Sequence, residues 1–335
     1  MTTSTSGRVT AREVAEQAGV SKTTVSYVLN NTSHQSIPEH TRQKVLKAVA
    51  ALGYSPSPVA RALRTGRDDT VLLLLPNWPL SGPLSAVVEN LLDQLDAHGL
   101  SLKTRREGNI SVSSNEWAQT APQAVIALHQ LAPDLEAMLA SRGIFVIHAL
   151  FAAAAESPHT VIFPQRLVGK LQVEHLASTG RRRIGYAAPI DPRHDAFASL
   201  RIQGSRTTAL DLGLAEPLVE HMDPSREDAV RLLRMWKSLP KPVDGIAAYN
   251  DLFAAALLTA ARDLEIPVPD GIAIVGVDNE PLSEFTVPPL TTIDQHADAG
   301  AAALASLIVA GVAGSAPAAP PKSIEIVSLV VRQST

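Results

Sequence analysis

The sequence predicts a small all-α head followed by an α/β body on parallel sheets, and three observations carry that prediction. Residues 1–67 hold nine Lys/Arg against three Asp/Glu, a net of +6, whereas residues 68–335 hold twenty against thirty, a net of −10. Dense helix punctuation fills the head. Beyond it, apolar runs of strand length alternate with helical patterns, the signature of parallel α/β layers.

A chain of 335 residues is long for one core and implies two or three domains. It has no cysteine, which excludes disulfides and thiolate metal sites and fits a reducing compartment. Its ten histidines are scattered without ligand spacing, so no metal and no cofactor is expected. The opening "MTTSTSG" lacks the apolar core of a secretory signal, and no uncharged apolar run reaches the ~18 residues of a membrane span. The expectation is a soluble cytoplasmic protein with no membrane contact. A basic head on an acidic body points to a polyanion as the head's partner; a basic solubilising tail is the plainer alternative.

In the head, Thr10 with Glu13 three residues later forms a capping box, so a helix is predicted from Ala11. Val14, Ala15 and Ala18 give it one apolar face, and Gly19 stops it. Ser21 caps a second helix from Lys22 to about Leu29. There Val25, Val28 and Leu29 point inward and leave Lys22, Thr23, Ser26 and Tyr27 largely outward. Two short helices joined by a glycine turn read as helix-turn-helix. The second helix suits a major groove: Ser21, Lys22, Thr23 and Thr24 offer small donors and a cation where helical N–H groups favour phosphate, and Lys, Thr and Tyr can all contact base edges. A generic capped helix with a solvated face is the alternative. A third helix, with Pro38 in its first turn and Val45, Ala48, Val49 and Leu52 on one face, packs behind. "YSPSPVARALRTG" (54–66) then offers about seven helical residues, fewer than the ~12–15 an isolated helix needs.

The predicted strands of the body are 71–76, 124–129, 145–150, 160–164, 183–188, 245–250 and 272–278. Amphipathic stretches at 84–98, 167–178, 228–237 and 252–264 lie between them. Such sheets bind ligands beyond the carboxyl ends of their strands, which makes Asn250, Asp251, Asp278 and Asn279 the first candidates. The chain carries no G-x-G-x-x-G, P-loop, G-x-S-x-G or H-E-x-x-H, so no enzyme is predicted and no catalytic residue named. His129 and His148 read as loop or core residues, and "RRR" at 181–183 as a solvated turn. "GVAGSAPAAPPK" (311–322) reads as a loop and "SIEIVSLVVR" as a last strand, with no heptad extension for a coiled coil.

"VTAREVAEQAGVSKTTVSYVLN" and "TRQKVLKAVAALGYSPSPVARALRTGR" resemble the headpiece of the lactose-repressor (LacI/GalR) family of bacterial transcription regulators. "LRIQGSRTTAL", "GIAAYNDLFAAALL" and "IAIVGVDNEPLSEFTVPPLTTIDQ" resemble its effector domain, which is similar to periplasmic sugar-binding proteins. The resemblance implies a helix-turn-helix headpiece at 1–55, a hinge helix at 56–67 and an effector-binding and dimerisation domain at 68–335. That domain would have two parallel-sheet lobes, one of about 68–164 and 295–322, the other of about 165–294 and 323–335. On DNA, Lys22, Thr23 and Tyr27 would read bases, with Ser21, Thr24 and Asn30 near phosphates. In the hinge, Leu63 would wedge into the minor groove, with Ala60 allowing close approach and Arg64 beside it. Arg201, Asn250, Asp278 and Gln295 match the positions that contact the effector, a set whose chemistry suits a polyol.

The departures from that family lie in the first lobe. "PNWPLSGPLSAVV" replaces its usual Asn-Pro-Phe-like motif, Ala149 and Leu150 stand where an acidic residue is common, and Pro164 and Gln165 where Asp and Asn are frequent. The first lobe should therefore have lost polar pocket residues. Trp78 and Phe163 are either stacking surfaces for a ligand or core packing. The function expected is a homodimeric, sequence-specific transcription regulator on near-palindromic double-stranded operator DNA. It is most simply a repressor whose operator affinity is changed by a sugar-like small molecule between the lobes. The alternatives are a regulator of the same fold controlled by a protein partner or corepressor, and an α/β enzyme with a DNA-binding head.

Overall fold

The chain falls into two compact units, one running to Asp68 and the other from Asp69 onward. The structure, a computed structural model, describes residues 9–29, 37–54, 68–79, 82–106, 122–151, 159–315 and 326–335.

Three helices make the first unit: α1 (Ala11–Ala18), α2 (Lys22–Leu29) and α3 (Glu39–Leu52). The capping box starts α1, with Thr10 N donating to Glu13 Oε2 at 2.6 Å and Glu13 N donating to the Thr10 hydroxyl at 3.4 Å. Gly19 ends it at φ +66°, a left-handed conformation that glycine adopts without a Cβ penalty. Ser21 caps α2 through the Thr24 amide at 3.0 Å. Because each helix is too short to persist alone, their stability rests on one shared core. Val14, Ala18, Val25, Val28, Val45 and Ala48 are buried there, with Leu52 and Tyr54 packed at its edge.

The second unit has two parallel sheets. The first joins β1 (Thr70–Leu75), β2 (Ser101–Arg106), β3 (Ala124–Ala127), β4 (Phe145–Leu150) and β5 (Thr160–Ile162) in the order β2-β1-β3-β4-β5, every pair parallel. Helices α4 (Gly82–Asp96) and α5 (Pro133–Ser141) belong to this lobe. After α6 (Gln165–Ser178), the second sheet takes β6 (Ile184–Pro189), β7 (Leu218–Met222), β8 (Gly245–Ala248) and β9 (Ala273–Val275) in the order β7-β6-β8-β9, again parallel. Between its strands run α7 (Asp195–Asp211), α8 (Arg226–Lys237) and α9 (Asp251–Asp263).

Past the short α10 (Leu282–Phe285), β10 (Thr292–Asp294) leads into α11 (Ala297–Ala313), and β11 (Ser328–Val330) pairs antiparallel with β10. Although late in the chain, α11 returns to the first lobe: its Leu304, Leu307 and Ile308 share a core with Leu91 and Leu95 of α4. The chain therefore crosses between lobes at 163–164, again at 295–296 and a third time between α11 and β11, and the first two crossings form part of the cleft described below.

Four predicted strands end two or three residues early, and each sheds a residue that faces one cavity. Expected to reach residues 129, 164, 250 and 278, they stop at Ala127, Ile162, Ala248 and Val275. The residues shed from their carboxyl ends include Leu128, Phe163, Asn250 and Asp278, all of which line one cavity. Conversely, β2 and β7 escape sequence detection. Both sit at sheet edges, and "SLKTRR" and "LVEHM" carry polar side chains where a central strand buries both faces.

Candidate functional site

On α2, Val25 and Val28 are buried and fix which face turns outward. Lys22 and Thr23 are exposed and Tyr27 half-buried, so they share the outer side of the helix. The Ser21 and Thr24 hydroxyls lie 2.8 Å apart at its first turn. Asn30, and the segment 56–67 with Ala60, Leu63 and Arg64, lie outside the described residues.

The second site begins with a helix crossing. Helices α6 and α7 meet backbone to backbone where two glycines face each other's chains. A Cβ on Gly169 would overlap the Arg201 carbonyl, and one on Gly204 would overlap the Arg166 carbonyl. Ser205 fastens the crossing, its hydroxyl within reach of the carbonyls of Gly169 (3.2 Å) and Arg201 (2.9 Å). This approach sets Arg201 of α7 beside Gln165 at the start of α6.

Around Arg201 a closed polar ring forms. Arg201 Nε donates to Gln165 Oε1 at 2.8 Å, Gln165 Nε2 to Gln295 Oε1 at 2.9 Å, and Gln295 Nε2 to Asp278 Oδ1 at 2.7 Å. Arg201 Nη2 closes it, 4.0 Å from the same Asp278 oxygen. The amide orientations are dictated: a guanidinium only donates, so Gln165 must offer it an oxygen, and each later member must alternate. Arg201 Nη1 also donates to the Tyr249 carbonyl at 2.6 Å, and the guanidinium lies over the Tyr249 ring, 4.9 Å from its centroid. Both Arg201 and Asp278 side chains are only 4% exposed.

Burial pushes the Asp278 carboxyl up to about 6 against the opposing pull of Arg201. Its backbone is held at φ +106°, followed by Asn279 at φ +48°. A non-glycine residue in that region stores about 1–3 kcal/mol, a strain that clusters at ligand sites. Asn250 caps α9, its Oδ1 accepting from Phe253 N at 3.2 Å, so the oxygen is engaged and the amide NH2 is what it can offer a ligand.

The ring sits in a cavity between the lobes whose opposite wall, among the described residues, is apolar. Leu84, Val87, Leu128, Ala149 and Leu304 come from the first lobe and its returning helix. At one end, Trp78 packs edge-on against Phe151 (5.1 Å) and Phe197 (4.7 Å), which are themselves 4.8 Å apart. Phe197 belongs to α7, so this aromatic cluster spans the cleft from lobe to lobe. Phe163 lines the cavity and also packs close over Gly300, combining the two roles open to it from the sequence.

The structure thus brings Arg201, Asn250, Asp278, Gln295 and Phe163 together around one cavity. It adds three residues that the sequence did not single out as site members. Gln165, read there as a departure, links the first two crossings through Gln295 and carries Arg201. Phe151 and Phe197 supply aromatic wall from positions 46 residues apart, with no motif to mark them. Among the described residues, no cluster of His, Cys, Asp or Glu fits a metal ion, and no helix is long and apolar enough to cross a membrane.

Two protein-family models match the chain: bacterial regulatory proteins, lacI family, over residues 10–57, and a periplasmic binding protein-like domain over residues 173–335. The HTH-type transcriptional regulator GntR of Pseudomonas aeruginosa is 31% identical over 326 residues, covering 93% of this chain and 92% of that one. Among solved structures, a transcriptional regulator CelR–cellobiose complex superimposes with a TM-score of 0.63 at 26% identity, over 98% of this chain and 100% of that one. The lac repressor dimer bound to operator and the anti-inducer ONPF shares the fold with a TM-score of 0.77 at 24% identity, over 98% and 99% of the two chains. With a headpiece of this kind and a relative of this identity along nearly its whole length, the chain belongs to the lacI family of bacterial regulatory proteins, transcription regulators that bind DNA through a helix-turn-helix.

Proposed function

We propose that this regulator acts in the cytoplasm as a homodimeric repressor, released from a near-palindromic operator when a small molecule occupies the cleft. In this reading α2 enters the major groove with Lys22, Thr23 and Tyr27 toward bases and Ser21, Thr24 and Asn30 near phosphates. The segment 56–67 serves as the hinge helix, stabilised by DNA and the dimer partner, with Leu63 inserted in the minor groove and Ala60 and Arg64 beside it. Arg201, Asn250, Asp278, Gln295 and Phe163 meet the effector.

One observation carries the coupling. The polar ring includes Gln165 and Gln295, and these flank the first two of the chain's three crossings between lobes. A ligand that accepts from Arg201 or donates to Asp278 engages a ring that ties the first two crossings together. Moving the lobes relative to each other would then alter the spacing of two headpieces on a shared site.

Linkage supplies the test. With an operator selected from a random duplex library, an inducer should weaken DNA binding by the same factor as DNA weakens inducer binding. Equal ligand affinity with and without operator would defeat the proposal. Arg201→Ala is expected to abolish the ligand response while operator binding persists, measured by fluorescence anisotropy. Leu63→Ala should lower specific operator affinity tenfold or more with ligand binding intact; undiminished operator affinity would reduce the segment to a tether.

A further inference from the structure

We infer that the cleft selects an amphipathic ring compound over a free sugar: a neutral head carrying two adjacent hydroxyls or their equivalent, joined to an aromatic or alicyclic body. The inference rests on the reading of this cavity as the effector site and names the chemical class it takes.

Among the described residues, the polar capacity of the site is small and one-sided. Gln165 and Gln295 each have oxygen and nitrogen engaged within the ring. Asn250 has its oxygen held by Phe253 N, and Asp278 has one oxygen taken by Gln295. Among the described residues, what can still meet a ligand is the remaining Asp278 oxygen as acceptor, with the Asn250 NH2, Arg201 Nη2 and the second N–H of Gln295 as donors. That set serves about two adjacent hydroxyls. It also favours a neutral head, since Arg201 and Asp278 stand together and a full charge of either sign would oppose one of them.

A free hexose carries hydroxyls around its whole ring. Any of them turned toward Leu84, Leu128, Ala149 or Leu304 would exchange water for hydrocarbon. Each such hydroxyl is expected to weaken binding about tenfold. The same wall rewards an apolar body in proportion to the area buried. Phe151 and Phe197 line the same cavity, within the cluster closed by Trp78.

The test is calorimetric titration of the full-length protein with free hexoses and pentoses, the phenyl β-glycosides of the same sugars, and 3-phenylpropane-1,2-diol. An aryl compound should bind at least tenfold more tightly than the matching free sugar. Phe197→Ala should erase most of that preference, and Phe151→Leu provides the same reading if the first variant does not fold. A free sugar that binds as tightly as its phenyl glycoside would overturn the inference and leave the small-molecule reading standing. So would an aryl preference unmoved by both variants. If no compound of either class binds, the inference and the small-molecule reading of the cleft fall together.

Discussion

Gly204→Ala is expected to lower the thermal midpoint of the second unit by roughly 10 °C and to abolish any ligand response. The sign runs against propensity. In an exposed helix interior, replacing glycine with alanine adds about 1 kcal/mol of stability. Here the new methyl would overlap the Arg166 carbonyl across the α6–α7 crossing, and a backbone atom of a packed helix cannot swing aside as a long side chain can. Overpacking of a rigid contact costs about 1–3 kcal/mol and more where backbone must move. Each kcal/mol shifts the midpoint of a domain this size by about 2–4 °C. The loss of response follows from geometry. Separating the helices pulls Arg201 from Gln165, now 2.8 Å away, and opens the ring at the link between α7 and the crossings. Differential scanning fluorimetry and an operator-binding titration would check both halves. An unchanged midpoint would mean that the two helices do not pack this closely in solution.

That crossing also shows what a single sequence reveals and what it withholds. Arg201 was legible from its surroundings in "LRIQGSRTTAL", as were Asn250 and Asp278 at the ends of apolar runs. Central strands are buried on both faces, so they announce themselves as unbroken hydrophobic stretches; "TVLLLL" of β1 is buried at every position. The head was legible for a different reason, since its capping residues lie within one turn of the atoms they bond. What stayed hidden is long-range. Gln165 and Gln295 stand 130 residues apart and became partners only because the chain crosses between lobes beside each. Nothing local to Phe197 says that it will meet Trp78. The first lobe's departure from the family pattern was visible as lost polar residues, whereas the aromatic cluster that replaced them took three-dimensional proximity to see.

Buried carboxylates give the remaining prediction its sign. Asp251, fully buried at the start of α9, accepts from the Thr292 hydroxyl at 2.6 Å and from Glu280 N at 2.8 Å. Burial dominates these bonds and pushes its carboxyl up to about 7. The folded protein therefore keeps a proton that an unfolded aspartate releases near 4. Stability from this group is complete below that value and is lost as pH rises toward 7. Asp278, up to about 6, acts in the same direction. His148, His175 and His194 act oppositely: burial holds each below the ordinary histidine value, so their contribution is complete above about 6.5 and is lost as pH falls below it. A raw pH profile thus mixes both signs, and a substitution is needed to isolate one. Asparagine at 251 can still accept from Glu280 N and donate to the Thr292 hydroxyl, which rotates to receive it. Relative to Asp251→Asn, the wild-type protein should lose about 2–3 kcal/mol between pH 5 and pH 8, at 1.36 kcal/mol for each unit up to the raised value. Urea unfolding of both proteins at each pH measures the difference. Parallel profiles would show that the carboxylate remains charged in the folded core, held there by Thr292 and the Glu280 amide.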